Sequence, residues 1–490
     1  MRKASHVRTA VPAAPAAAAP APHALADQGA NVWLLSYEKA TREAFDTIYA
    51  ALRDIASIQH EADFVHRAQE IAVSRLGYEL PQAVLERAWV EALDVRSLYA
   101  YCVFNTFLRV TNQQVRLDAA DQQGVAAARA FFASCGFHEV DVSPASDGRL
   151  KGLERFILRF PRHAIRNTKA YAGGLFDVEN DLKRWQRIEL RKLRQGQPAG
   201  SRYLKVAVYN RSSLRPAESG CGPFKGNELA AAEAMLARLN ALRDAVRVSF
   251  PGEDLAILLL GVDTDTDALR IHVPDAEGQL SPYRYIDMLD AYQATLGMSA
   301  DDAYLALQQR IDQACQMQGW GKGVGVVEEG MRRFITQLMV TNISQIDYVM
   351  RFHGGAYADF GHAERLMILG ENIEAFQLRN FAYYSHLYTV EESAGDVDHG
   401  VQVFRATHFT RGLPMPVVVH YRYNPQVEGA RERAVARCHR VRDALFARYP
   451  QLAETGRMQC FMTVRAKAND APVEWIDDGA SAAFLPQGMQ

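Results

Sequence analysis

Apolar positions change their spacing twice along the chain, and those changes divide it. Phe45, Ile48, Leu52 and Ile55 recur at i, i+3, i+7 and i+10, a spacing that stacks side chains on one face of an α-helix and turns that face toward a core. Comparable segments over Val65–Leu76, Pro81–Leu93 and Val95–Phe107 predict a helical domain over residues 31–120. After Asp118 the pattern becomes mixed. A helix is expected at Gln122–Ser134, then a strand at Phe137–Val142 that ends in the turn-rich Ser143–Gly148. Further strands are expected at Arg155–Phe160, Tyr203–Tyr209, Leu255–Val262 and Leu269–Val273, with helices at Glu228–Val246 and Glu329–Phe352 and a loop at Gly354–Gly361. A last segment has strands at Ala375–Arg379 and Val417–Tyr423 and a helix at Arg431–Tyr449. The expected fold class is therefore mixed α and β: a helical N-terminal domain followed by α/β units over residues 121–369 and 370–490. Strands ending Val206–Asn210 and His420–Asn424 both close on Tyr-Asn, a short match that raises duplication without establishing it.

Residues 1–30 break the pattern. They hold 12 Ala and 4 Pro and lack a continuous apolar core, so they read as a disordered leader rather than a secretory signal. The longest apolar run, Leu255–Val262, is far below the roughly 18–20 residues that span a bilayer. Lys+Arg number 55 against 57 Asp+Glu, a balance that argues against the broadly basic surface needed for nucleic-acid or membrane binding. The six cysteines form no CxxC pair, which fits reduced thiols better than a disulfide framework or a zinc ribbon.

Local chemistry is concentrated in Ser143–Arg149, at the carboxyl end of an expected strand, where α/β sheets tend to hold their sites. Asp147 and Arg149, two apart, can pair through a bidentate fork that keeps the carboxylate ionised and aimed. The same pair could equally be a structural salt bridge at a turn. Asp263, Asp265 and Asp267 resemble the start of a calcium loop, but Ala268 and Pro274 stand where such a loop needs Gly and Glu. These aspartates are expected to position a loop or cap backbone amides. Gly319–Gly325 is glycine-rich yet has no GK[ST] ending, and the histidines of the last third show no HExxH spacing. GxSxG is absent. The helix bearing Arg431, Arg433, Arg437, Arg440 and Arg442 lacks interleaved aromatics and reads as a solvated or partner-facing face.

Seven ordered blocks carry a resemblance: Cys135–Gly152, Arg202–Asn210, Gly220-Cys221, Leu258–His272, Ser344–Val349, Gly361–Arg365 and Leu413–Pro425. Together they strongly resemble the carboxysome shell carbonic anhydrases, from about Asn31 to the C-terminus. The resemblance implies a helical N-terminal domain, a catalytic domain similar to β-type carbonic anhydrases, and a C-terminal duplicate without metal. It also implies reversible hydration of CO2 to bicarbonate by zinc, held by two Cys and one His, which makes a bound water acidic enough to supply hydroxide near neutral pH. A homodimer at the inner face of the carboxysome shell is implied, with shell proteins and Rubisco as partners and neither nucleic acid nor membrane involved.

Carried over residue by residue, the Asp-Arg pair that orients the reactive water matches Asp147 and Arg149, and the second metal cysteine matches Cys221. The first cysteine falls on Ala145 and the histidine on Asn210. Ala145 has no donor, and the neutral Asn210 amide is a poor ligand for a borderline-soft ion. Zinc is therefore expected to be weakly bound or absent, with catalysis impaired or lost. The competing expectation is an active carbonic anhydrase with a rearranged metal site that supplies CO2 to Rubisco.

Overall fold

The computed structural model describes residues 21–476 except 89, 168–169, 171, 197–201, 251–254, 317–326, 359–362, 374–375, 377, 388, 392 and 469. The glycine-rich stretch Gly319–Gly325 and most of the expected leader lie outside these. The rest of that leader is docked, which corrects the expected disorder through Ala30. His23 is buried, its backbone N–H donates to Asp347 Oδ1 at 2.9 Å and its Nε2 lies 2.9 Å from Thr295 Oγ1. Asp27 then caps a helix over Gln28–Ser57 by accepting from the Ala30 amide. The stripe anticipated from the spacing is on its buried side, with Ile48, Leu52 and Ile55 fully enclosed.

Six strands form the first sheet: β1 (Glu139–Pro144), β2 (Arg166–Asn167), β3 (Tyr203–Arg211), β4 (Leu255–Asp263), β5 (Leu269–His272) and β6 (Tyr285–Asp287), in the order β2-β1-β3-β4-β5-β6. The pairs β2–β1, β1–β3 and β3–β4 are parallel, while β5 and β6 run antiparallel to their neighbours. Every residue of β4 is buried, as a strand covered on both faces requires. Helix Glu228–Ser249 packs on one face, with Met235, Leu239 and Leu242 against Leu255, Ile257 and Leu259. Helix Glu329–Phe352 covers the other, where Phe334 and Leu338 share a core with Val140 and Leu258.

The second sheet contains β7 (Leu366–Gly370), β8 (Ala382–His386), β9 (Met415–Tyr423), β10 (Met458–Ala466) and β11 (Glu474–Ile476), in the order β11-β10-β9-β7-β8. Its pairs β8–β7, β7–β9 and β9–β10 are parallel and β10–β11 is antiparallel. Read from β8, order and direction repeat those of β2-β1-β3-β4-β5. Helices Ala394–Thr407 and Ala430–Arg448 cover one face. The N-terminal helices cover the other: Phe104 stacks on Phe461 at 4.4 Å and Phe45 meets Phe381 edge-on at 5.2 Å.

Three boundaries differ from expectation. Arg155–Phe160 is no strand: Leu153–Ile157 forms a π-helical turn after Gly152, whose φ is 82°, and it buries Leu153, Phe156 and Ile157. The strand expected at Ala375–Arg379 is absent from its described residues, and Ala382–His386 takes the edge of the sheet instead. The expected division at 369/370 falls inside β7, which hydrogen-bonds to β8 and β9 and so belongs with the second sheet.

Candidate functional site

The parallel strands β1 and β3 end side by side, and the loops that leave them build the site. Ala145 N donates to Val208 O at 3.1 Å, which continues the ladder by one residue before the chain turns away. Asp147 then caps the 3-10 turn Gly148–Leu150, with Oδ1 accepting from Arg149 N at 2.9 Å. Residue 148 is closely packed. A Cβ on residue 148 would lie 3.1 Å from the Ala382 carbonyl, and the Gly148 carbonyl accepts from Asn380 N at 3.0 Å. The turn is thus pressed against the second unit.

Arg149 folds back onto Asp147. Its Nε donates to Oδ1 at 3.0 Å and its Nη2 to Oδ2 at 2.6 Å, while Nη1 reaches Thr264 Oγ1 at 3.0 Å. Burial opposes ionisation of Asp147, but the guanidinium and its hydrogen bonds outweigh it and hold the carboxyl below the ordinary aspartate range. The remaining donor comes from the end of β3: Asn210 Nδ2 lies 2.9 Å from Asp147 Oδ2. A carboxylate can only accept when ionised, so the Asn210 amide is fixed with its nitrogen toward Asp147.

Asp263, Asp265 and Asp267 form a loop-holding set, each occupied with neighbouring chain. Asp263 Oδ1 accepts from Ser213 N at 3.1 Å, and Asp265 Oδ2 accepts from Ser212 Oγ at 2.7 Å and Leu214 N at 2.9 Å. Asp267 meets Arg379 Nη1 at 2.6 Å and Gln345 Nε2 at 2.8 Å. Arg379, from the second unit, also donates to the Thr264 carbonyl and lies over the Tyr357 ring at 3.7 Å. It therefore braces the residue that braces Arg149. Sequence reasoning singled out the aspartates but missed Arg379, which no local motif marks.

Cys221 follows the short helix Pro216–Ser219 and is buried. Burial, aided by the charge of Asp147, pushes its thiol up to about 11, so it is protonated at neutral pH. The residues present do not fit a zinc ion. Ala145 offers no donor and Asn210 presents N–H rather than a lone pair, which leaves Cys221 alone of the three matching positions with a ligand atom. Among the described residues no group of three or more His, Cys, Asp or Glu side chains is disposed to hold a metal. The cavity beside Ala145–Leu150 has about 50 Å³, room for two or three water molecules, and Lys151 and Tyr384 also line it.

The late histidines are scattered. His353 faces Glu38 at 3.5 Å, and His420 Nδ1 lies 3.0 Å from Thr463 Oγ1. Behind the site, the Tyr209 hydroxyl lies 2.9 Å from His272 Nε2, and His272 Nδ1 lies 3.0 Å from the Ser281 carbonyl. That carbonyl can only accept, so Nδ1 carries the proton and Nε2 accepts from Tyr209.

The chain has relatives among known proteins. Three family models match in series: the N-terminal part of the carboxysome shell carbonic anhydrases at residues 23–115, their catalytic domain at 127–362 and their C-terminal part at 363–480. The chain is 43% identical over 461 residues to the carboxysome shell carbonic anhydrase of Halothiobacillus neapolitanus, covering 93% of this chain and 90% of that one. It is 41% identical to that of Parasynechococcus marenigrum, covering 93% and 78%, and 34% identical to that of Hydrogenovibrio crunogenus, covering 92% and 86%.

Proposed function

Since the chain belongs to the carboxysome shell carbonic anhydrase family, we propose that it acts as a carboxysome protein in which the family's zinc-dependent hydration of CO2 is impaired or lost. The observation that carries this reading is the hydrogen bond from Asn210 Nδ2 to Asp147 Oδ2 at 2.9 Å. Where the family resemblance asks for a metal ligand, this chain directs an N–H at the carboxylate. The amide supplies Asp147 with a neutral donor, and Arg149 balances its charge. Asp147 is thereby held ionised without a metal.

In this reading the Asp147–Arg149 pair joins structure. Its turn touches the second unit at Ala382 and Asn380, and Arg149 is held by Thr264, which Arg379 holds in turn. Retention of the pair is the observation that favours the second reading, an active enzyme with a rearranged metal site. The repeated strand order supports a third part of the proposal, that the C-terminal unit is a metal-free duplicate of the catalytic unit. A homodimer at the inner face of the shell, near Rubisco, follows from the family resemblance alone.

Stopped-flow measurement of CO2 hydration by the full-length protein tests the proposal. The unaltered chain is expected to show little CO2 hydration. Ala145→Cys combined with Asn210→His is expected to raise zinc content toward one per chain, with activity trailing if neighbouring groups no longer orient the ligands. A rate that Asp147→Asn abolishes in the otherwise unaltered chain would establish the second reading.

A further inference from the structure

One histidine anchors the segment that leads into the first helix, and its hydrogen bonds fix its protonation. His23 is 3% exposed. Its Nδ1 lies 3.1 Å from the Leu25 amide nitrogen and its Nε2 lies 2.9 Å from Thr295 Oγ1. A backbone N–H can only donate, so Nδ1 is the accepting nitrogen. The Thr295 hydroxyl gives its own proton to the Ala291 carbonyl at 2.7 Å, so its oxygen accepts from Nε2–H. The ring is therefore neutral, with both nitrogens in use.

A second proton does not fit this arrangement. Placed on Nδ1 it would point at the Leu25 N–H, setting donor against donor in a buried place and taking away the acceptor of that amide. Charged and titratable groups reach the ring from three elements. Helix Glu329–Phe352 brings the buried Asp347 carboxylate, with Arg351 at 3.7 Å from it. Helix Met288–Thr295 brings Tyr292, whose ring centroid is 5.2 Å from the imidazole and whose hydroxyl donates to Asp347 Oδ1 at 3.3 Å. The entering segment itself brings Asp27, which is turned to the Ala30 amide at 2.9 Å. Asp347 favours an imidazolium, but its charge is shared: Oδ1 accepts from the His23 backbone N–H at 2.9 Å, Oδ2 accepts from Gln28 Nε2 at 3.1 Å, and Arg351 opposes it. Burial pushes the imidazole below its ordinary value despite that carboxylate.

We infer that His23 is a proton-operated latch, which holds the segment His23–Asp27 against helices Met288–Thr295 and Glu329–Phe352 while its ring is neutral and releases it when Nδ1 is protonated. A free imidazole takes up a proton below about pH 6.5, and the docked ring resists it. Docking is therefore complete above that pH and weakens as pH falls, by up to about tenfold for each unit below it. The rest of the segment is lightly held. Leu25 packs on the core of the first sheet and the Asp27 N–H donates to Ser344 Oγ at 3.0 Å, so release uncovers Leu25 and leaves Ser344 and Asp347 without these partners. The inference goes beyond the proposed function and stands apart from zinc, because no residue of the Asp147 site takes part in it.

Amide hydrogen exchange of the full-length protein, read by mass spectrometry as protection over the intrinsic rate at each pH, tests it. Between about pH 7.5 and about pH 5, protection of peptides covering His23–Asp27 is expected to fall at least about fivefold and at most about thirtyfold, while peptides from β4 keep theirs. His23→Asn, which keeps an acceptor for the Leu25 amide but does not titrate, is expected to give the same protection at both. Thr295→Val removes the acceptor of Nε2–H and leaves the ring titratable, so it is expected to lose protection at a higher pH than the unaltered chain. Should His23→Asn leave the segment unprotected throughout, the Thr295→Val midpoint decides: a rise upholds the latch and an unmoved midpoint overturns it. Protection that persists at about pH 5 in the unaltered chain, or a loss on acidification that His23→Asn shares, would likewise overturn the inference.

Discussion

His272 shows how burial at one residue sets a pH response. Enclosed behind β3 and bonded on both ring nitrogens, it is pushed down to about 4 by burial, opposed by its bond to Ser281 and reinforced by nearby Arg270. The unfolded chain takes up the proton below about pH 6.5. The folded chain does not until about pH 4. Stability contributed by the neutral ring is therefore complete above pH 6.5 and falls as pH drops through that window, by at most about 3 kcal/mol. His272→Gln, which preserves one donor and one acceptor, is expected to flatten the decline in unfolding free energy between pH 6.5 and 4. Denaturant melts across that range would check it, and an unaltered slope would contradict it. Among the residues singled out in the sequence, Asp147, Arg149, Ala145 and Asn210 stand at or beside the ends of β1 and β3, while Cys221 follows the short helix Pro216–Ser219. What spacing could not reveal was the direction of the Asn210 amide, because a hydrogen-bond role depends on what the strand ends face.

At the scale of elements, the long periodic segments were the readable ones. The stripe from Phe45 to Ile55 and the apolar run of β4 each bury a face that their spacing declares. Short apolar runs were not, because periodicity does not separate a buried strand from a helical turn. Phe156 and Ile157 lie three and four residues after Leu153, which satisfies one turn of helix as well as it satisfies a strand. The N-terminal segment was misread for a related reason: a polar docking made by His23 and Asp27 has no apolar signature. Their bonds to Asp347 and Ser344, at 2.9 and 3.0 Å, tie it to helix Glu329–Phe352. Deleting Met1–Gly29 strips Asp347 of a buried partner and removes a helix cap. The Tm is expected to drop by more than about 4 °C, the shift that roughly 1–2 kcal/mol produces, and thermal melts of the truncated chain would register it.

For the whole molecule, the two units are joined through polar contacts at the site and through the N-terminal helix that packs on both. Arg379 carries much of the first connection, since its partner Asp267 is buried and burial pushes that carboxyl up despite the guanidinium. Arg379→Met leaves Asp267 without its cation and is expected to cost about 3–5 kcal/mol, measured by urea unfolding. Replacing Asp267 by Asn in the same chain is expected to recover part of the loss. The second connection runs through helix Gln28–Ser57, whose Tyr37 packs on Phe156 of the first unit at 6.0 Å and whose Phe45 packs on Phe381 of the second at 5.2 Å. Sequence reading divided the chain into successive units because it follows chain order. It did not reveal that the first and last parts build one core, which only long-range pairing decides.

In the proposed function the Asp147–Arg149 pair no longer serves a metal. Zinc content per chain, measured by plasma mass spectrometry on full-length protein purified from zinc-supplemented medium, tests it most directly. Well under one zinc per chain is expected, rising toward one only when Ala145→Cys and Asn210→His are introduced together. One zinc per chain in the unaltered protein, lost on Cys221→Ser, would contradict it.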